Sequence, residues 1–430
     1  MKNIDFALLF EHSAREIEAL TLIKCELERR GYSAEIIYKH DMVERNKFYP
    51  KVVIAPFLYS TLVMQRIAMF GNHSVKKYLN LQWEQIFCKD DKTDIEYHSP
   101  KGIARKAAHI SWGKINKTRL ESFGVSSDHI FETGHITMDL CSSKFRKIYN
   151  SREELSKKYG LDIGKKWLLF ISGFAEADPQ YVRDLKINFG VDDNISNHII
   201  LTVKTQKKVL EWFKRILSED PELQIIYRPH PSEGATPALA NICEAISGLK
   251  IIRDESVRQW ILVSDYISTW ISTSIVEAFF MGKKCAILRP FALPIESEVE
   301  IMTNGTYICT YEEFRKFRNS DYTFSLDKGL INEHYGKSGD GNTYIRICDA
   351  CEKILSNEKY DVVVPRRKTF FIKDIFRGAR DILIHYCDHV RISKYLFGRP
   401  KQLFELHENN MFGYRHKVKK LTKLYSRIIE

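Results

Sequence analysis

Between Leu223 and Leu288 the chain carries side chains suited to holding a phosphate. An apolar run, Leu223–Tyr227, ends abruptly in Arg228-Pro229-His230-Pro231. Neither proline can donate to a sheet ladder, so a strand must stop there and the chain turn out. That leaves Arg228 and His230 on a stiff loop at the carboxyl end of a strand, the edge where open α/β sheets bind ligands. Further on, Tyr266–Ser268 reads as a second strand tip, and Ser272-Thr273-Ser274 opens a helix running through Val276, Phe279 and Phe280 to Gly282. A helix start offers unpaired N–H groups and a positive dipole end to an anion. Glu277, one turn in, is a carboxylate able to accept two hydrogen bonds from a ribose diol. Lys166–Ser172 is an apolar run without alternation, as for a strand buried on both faces. Gly173 follows it and lets backbone approach a ligand closely. Together these residues describe a site for a nucleoside mono- or diphosphate sugar. Each has a plainer reading alone: Ser-Thr-Ser is a common N-cap cluster, and a single histidine usually packs or caps.

Sugar transfer needs the leaving phosphate neutralised and, for inversion, a base for the acceptor hydroxyl. Arg228, His230 and the start at Ser272 answer the first need. For the base, Glu84 follows a strand ending at Trp83, and Glu11 ends the first strand beside His12. Glu84 has an alternative as a carboxylate stabilised at a helix N-terminus. His135, after Gly134, reads as a turn histidine. Glu296 and Glu298 either touch the sugar or are solvated. The acidic pairs Asp90-Asp91 and Asp192-Asp193 follow no clear strand and lack DxD spacing, so no metal site and no cofactor is expected.

These residues require two sheets to position them. Residues 1–150 alternate strands (Asp5–Phe10, Ala34–Tyr38, Lys51–Ala55, Tyr78–Trp83, His109–Trp112) with helices closed by Gly31 and Gly124, as in a parallel doubly wound Rossmann-like sheet. Ser13–Glu16 fits a capping box. A charged linker, 151–164, leads to a second doubly wound unit at 165–357, with a helix at Thr205–Ser218 and another at Asn342–Leu355. Residues 358–430 form a basic, amphipathic, helical tail with Phe370, Phe371, Ile375, Phe376, Tyr386, Tyr395 and Phe397 among its lysines and arginines. The chain's 430 residues and 44% hydrophobic content suit two globular domains. Its net charge of +11 lies almost wholly in residues 366–430, which hold 16 Lys/Arg against 6 Asp/Glu. The core is thus close to neutral, which argues against a nucleic-acid channel and for a basic face on one end. That tail either caps a domain or docks on anionic lipid headgroups. No apolar run reaches the roughly eighteen residues that a membrane span needs, and the N-terminus meets Glu11 and Glu16 before any cleavage-like site. The nine cysteines are scattered. Cys348 and Cys351 form a CxxC with no second pair, so a reduced cytoplasmic chain is expected, with peripheral attachment to the inner membrane face.

With these residues in view, the chain resembles GT-B glycosyltransferase-like enzymes of bacterial surface carbohydrate (capsule and O-antigen) biosynthesis and, more distantly, CDP-glycerol glycerophosphotransferases. The marks are AREIEALTLIKCELERRGY at 14–32, LQWEQ at 81–85, TGHITMDL at 133–140, RPHP at 228–231 and STSIVEAFFMGKKCAI at 272–287. The resemblance covers residues 1 to about 357. It implies two Rossmann-like domains facing a cleft, with the acceptor on the first and the nucleotide on the second. It also implies that His230 contacts the donor phosphates, that Ser272, Thr273 and Ser274 form the phosphate-binding hydroxyl motif, that Glu277 lies near the ribose, and that Arg228 adds a cation on the leaving nucleotide. The implied partners are a nucleotide-sugar donor, with a pyrimidine base, and a glycan or lipid-linked glycan acceptor. Four activities fit: glycosyl transfer to a surface polysaccharide, polyol-phosphate transfer from a CDP-polyol, epimerisation of a UDP-sugar, and a non-enzymatic envelope scaffold. None of the motifs names the sugar.

Overall fold

The computed structural model describes residues 1–70, 73–89, 91–183, 193–230, 233–234, 237–319, 322–365 and 411–429. The aromatic-basic stretch singled out between Phe370 and Phe397 lies outside these residues, as do Asp90 and Asp192. The chain divides into two compact units: residues 1–85, 92–148 and 332–430, and residues 86–91 and 149–331.

In the first unit, β1 (Lys2–Phe10), β2 (Ala34–Tyr38), β3 (Phe48–Ala55), β6 (Lys77–Asn80), β7 (Ala108–Ser111) and β8 (Ile130–Glu132) form one sheet of order β2-β1-β3-β6-β7-β8. All its pairings are parallel. A small antiparallel hairpin, β4 (Met69–Phe70) and β5 (His73–Ser74), stands apart. β6 ends at Asn80, earlier than the expected Trp83, because Asn80 Oδ1 accepts the N–H of Gln82, which takes φ +50°. The expected capping box at Ser13–Glu16 is half realised: His12 is the N-cap, and the Glu16 carboxylate reaches back to the N–H groups of Glu11 and His12. The helix that follows, Ser13–Arg29, is largely buried. Packed on it are Thr343–Ser356 and the terminal helix Met411–Ile429. The chain returns to this unit at Asn332, before the boundary expected at 357. Cys348 and Cys351 of the CxxC are buried in the Thr343–Ser356 helix, with Cys348 Sγ 3.7 Å from the Ile23 carbonyl. They are packing residues. The terminal helix buries Tyr414, Leu421 and Tyr425 and sets its rings against Phe10 and Phe145.

In the second unit, β9 (Lys166–Ile171), β10 (Leu223–Arg228), β11 (Leu249–Ile251), β12 (Tyr266–Thr269), β13 (Cys285–Leu288) and β14 (Tyr307–Ile308) give the order β11-β10-β9-β12-β13-β14, again all parallel. Every residue of β9 after Lys166 is buried, which is why the run shows no alternation. The helix expected at Thr205–Ser218 is longer, Asp193–Glu219. Its inner face places Val209, Trp212, Phe213 and Ile216 in a core with Phe170, Phe174, Tyr227 and Trp270.

Candidate functional site

Counted from β9, the second sheet runs 3-2-1-4-5-6, the order whose switch point receives nucleotides outside the strands' carboxyl ends. Here that point lies where β10 and β12 flank β9 on opposite sides. Their two tips are therefore about two strand spacings, ~10 Å, apart. The loop after β10 carries His230, whose side chain is exposed. The turn after β12 carries Ser272, half-buried, then Thr273, exposed, and Ser274, half-buried. Thr273 is the N-cap of the Ser274–Phe280 helix but makes no side-chain cap, and Ser272 Oγ instead accepts the Ser274 N–H at 3.2 Å. A helix of seven residues contributes a weak dipole, so hydroxyls and N–H groups carry whatever this turn offers an anion.

Other expected members of the site have structural duties. Arg228 belongs to β10, paired with Ile171. Its guanidinium donates to the carbonyls of Arg253, Asp254 and Glu255 at 2.6–3.0 Å, so the free cation expected from the sequence is a clamp on the neighbouring loop. Glu255, held at φ +65°, is a strained position worth about 1–3 kcal/mol, and the clamp offsets that. Glu277 is buried and bound by Arg258, Nη1 to Oε1 at 2.6 Å; Arg258 Nε also reaches the Tyr149 hydroxyl. Gly173 lets two chains approach, but the partner is protein: a Cβ there would sit 2.3 Å from the Ile271 carbonyl oxygen at the tip of β12. Glu298, expected at the sugar or in solvent, is buried and bound to Arg289 at 2.7 Å.

The frame around His230 is not legible in the sequence. Arg253 returns the clasp, donating to the carbonyls of Glu233 and Gly234 at 2.8 and 3.0 Å. Each loop's arginine thus holds the other loop's backbone. Glu233, only three residues after His230, is buried and accepts the His230 N–H at 3.2 Å. Its place in RPHPSEG was visible, but a glutamate in a polar loop carries no signal of burial.

The carboxyl edge of the first sheet gathers Glu11 and His12 after β1, Lys39 after β2 and Glu84 after β6. Both expected bases are ion-paired. Arg15 spans Glu84 and Glu16, and Lys39 binds Glu11. Burial alone would raise the Glu11 carboxyl, but Lys39, with help from His12 and Arg15, holds it below the usual carboxylate range. A carboxylate so held accepts a proton less readily. His12 is also held low: burial, then Arg15, lowers its pKa to about 4, so it is neutral at physiological pH and, like the carboxylate, holds a proton only weakly. Its neighbour Glu11 drew attention away from it. His135 is a packing residue, stacked on Trp112 with centroids 3.7 Å apart.

No known family profile and no curated protein sequence matches the chain. Solved structures do. One is MnaA from S. aureus in its UDP co-structure (TM-score 0.52, 14% identity, covering 86% of this chain and all of that one). Another is the Methanocaldococcus jannaschii UDP-GlcNAc 2-epimerase in complex with UDP-GlcNAc and UDP (0.51, 14%, 81% and 100%). A third is the wall teichoic acid polymerase TagF with CDPG (0.51, 11%, 82% and 88%). The chain has the GT-B-type fold of two Rossmann-like units. At such identities the likeness is one of fold.

Proposed function

We propose that this chain is a glycosyltransferase that moves a sugar from a nucleotide-sugar donor onto a growing cell-surface polysaccharide, without a metal. The observation that carries the reading is the switch-point arrangement of the second unit. It sets His230 and the Ser272–Ser274 hydroxyls on the two strand tips either side of β9. In this reading His230 and the Ser272–Ser274 turn neutralise the leaving phosphate, and Glu277, held in place by Arg258, accepts from the ribose diol. The acceptor lies on the first unit, where Glu84, Glu11 or the neutral His12 takes its proton. Likeness to TagF supports a second reading, polyol-phosphate transfer from a CDP-polyol, and likeness to the epimerases supports a third, turnover of a UDP-sugar without acceptor. A thermal-shift screen with CMP, CDP, UDP, GDP and dTDP tests the shared claim, since a ligand that binds only the native state raises the melting temperature. One pyrimidine nucleotide is expected to raise it, and His230→Ala to lose the rise. If no nucleotide shifts the wild type, the proposal fails. Product analysis then separates the three: a new glycosidic bond, a phosphodiester containing phosphorus, or an epimerised donor with no acceptor added.

The terminal helix supports attachment of this enzyme to an anionic membrane. Met411–Ile429 contains no Asp or Glu, and Lys419, Lys423 and Arg427 recur every fourth residue, all exposed, while Arg415, one turn earlier, is paired with Glu44. Phe145 packs on the buried Tyr425 at 5.9 Å, and the Arg146 and Lys147 that follow it are exposed. Each cation near an anionic leaflet is worth roughly 1 kcal/mol. Vesicles containing anionic lipid are expected to sediment the full chain, and Lys419→Glu with Lys423→Glu to abolish it. Unchanged sedimentation of that variant would exclude this helix as the anchor.

A further inference from the structure

Beneath the His230 loop three buried oxygens close a ring. Ser172 Oγ, at the end of β9, lies 2.9 Å from the Tyr227 hydroxyl on β10 and 2.6 Å from Glu233 Oε2. The Tyr227 hydroxyl lies 2.7 Å from Glu233 Oε1. All three residues are at most 2% exposed. Three O···O hydrogen bonds need three protons, and the two hydroxyls supply one each. An ionised carboxylate supplies none, which leaves two oxygens in contact with no proton between them, out of reach of water. A protonated Glu233 completes the circuit: Oε1–H donates to Tyr227, Tyr227 to Ser172, and Ser172 to Oε2. Oε2 then stays an acceptor for the His230 N–H, and Ser172 Oγ for the Phe174 N–H at 3.2 Å.

We propose that Glu233 is kept as a neutral acid that positions the His230 loop for an anion, and that loss of its proton repels the anion. The proposal rests on the nucleotide reading of the site. The groups facing Glu233 agree with it. Tyr227 is buried, and its phenol is pushed well above its ordinary value, first by burial, so it stays a neutral donor. The Cys243 thiol is pushed up to about 12, chiefly by burial, and is likewise uncharged. Arg253 is the cation that favours ionisation, but two of its donors are spent on the carbonyls of Glu233 and Gly234. Burial outweighs Arg253 and the hydrogen bonds, and raises the Glu233 carboxyl. His230 meets it through its backbone N–H. A negative charge here would oppose a phosphate on the loop directly above, whereas the neutral acid holds the same geometry without that repulsion.

The test uses the full chain with UDP and CDP as probes. The wild type is expected to weaken its binding at alkaline pH by up to about tenfold per pH unit once Glu233 ionises, the limit for one linked proton. Glu233→Ala loses affinity at all pH values. Glu233→Gln, whose amide donates where the acid's O–H did, restores most of that loss and no longer weakens as pH rises. Infrared difference spectra at neutral pH, wild type against Glu233→Gln, should show one protonated-carboxyl C=O band absent from the variant. If no such band is lost, or if Glu233→Gln keeps the alkaline weakening, the proposal is overturned. If neither nucleotide binds at any pH, the nucleotide reading fails, and the infrared measurement still decides whether the ring holds its proton.

Discussion

The pair Arg258–Glu277 permits a quantitative prediction. Both side chains are nearly sealed from water, at 4% and 9% exposure, and meet at 2.6 Å. With charge centres ~4 Å apart and an effective dielectric of ~20, their attraction is roughly 4 kcal/mol. Arg258→Met removes it and strands a buried carboxylate, for an expected loss of about 3–5 kcal/mol. Replacing both, as Arg258→Met with Glu277→Leu, removes the stranded charge and should recover most of that loss. Urea unfolding followed by tryptophan emission reads this unit preferentially, because Trp167, Trp212, Trp260 and Trp270 lie in it and only Trp83 and Trp112 in the other. The single variant should lower the midpoint by ~1–2 M, and the double variant by much less. A double variant that is folded yet shows no nucleotide-induced thermal shift would support Glu277 as the ribose acceptor. A single variant losing under about 1 kcal/mol, or a double variant as unstable as the single, would refute the reasoning, because the carboxylate would then have water or another partner.

Gly173→Ala drives a methyl into the Ile271 carbonyl and should cost about 1–3 kcal/mol, measured as a lowered urea midpoint with weakened nucleotide binding. His12→Ala should lower kcat far more than KM, whereas Glu11→Gln, which releases Lys39 and removes the carboxylate charge 3.9 Å from His12, should have the smaller effect; equal losses would remove His12 from the role of base. Asp139 has its carboxyl raised to about 6, by burial against the hydrogen bonds from Thr343 and Tyr344. A raised folded pKa gives stability that is present at low pH and lost as pH rises between the unfolded value and about 6. That amounts to about 3 kcal/mol, and Asp139→Asn should flatten the urea midpoint against pH across that window.

Much of the scaffold was legible in local pattern. Lys166–Ile171 and Leu223–Arg228 end within one residue of where they were expected, because their apolar runs need no knowledge of their neighbours. Pro229 and Gly282 closed their elements where backbone chemistry demanded. Less legible were ends set by side chains, as at Asn80, and the return of the chain at Asn332, where packing against Ser13–Arg29 overrides distance along the sequence. The site was readable as a list of residue types near strand ends. It was not readable as a set of partners: Arg228 looked like a free cation and Glu84 like a free base, and each is engaged.

Composition and period alone therefore established two parallel α/β units, a near-neutral core with a basic terminal segment, and the two strand tips that carry His230 and Ser272–Ser274. Which charge meets which was settled by sheet order. Arg15 finds Glu84 across 69 residues and Arg258 finds Glu277 across 19, and Glu233 meets Ser172 only because β9 and β10 are neighbours. A charge in a buried site is stable only beside its complement, and that complement comes from whichever strand the sheet sets alongside, a relation that no local stretch of residues encodes.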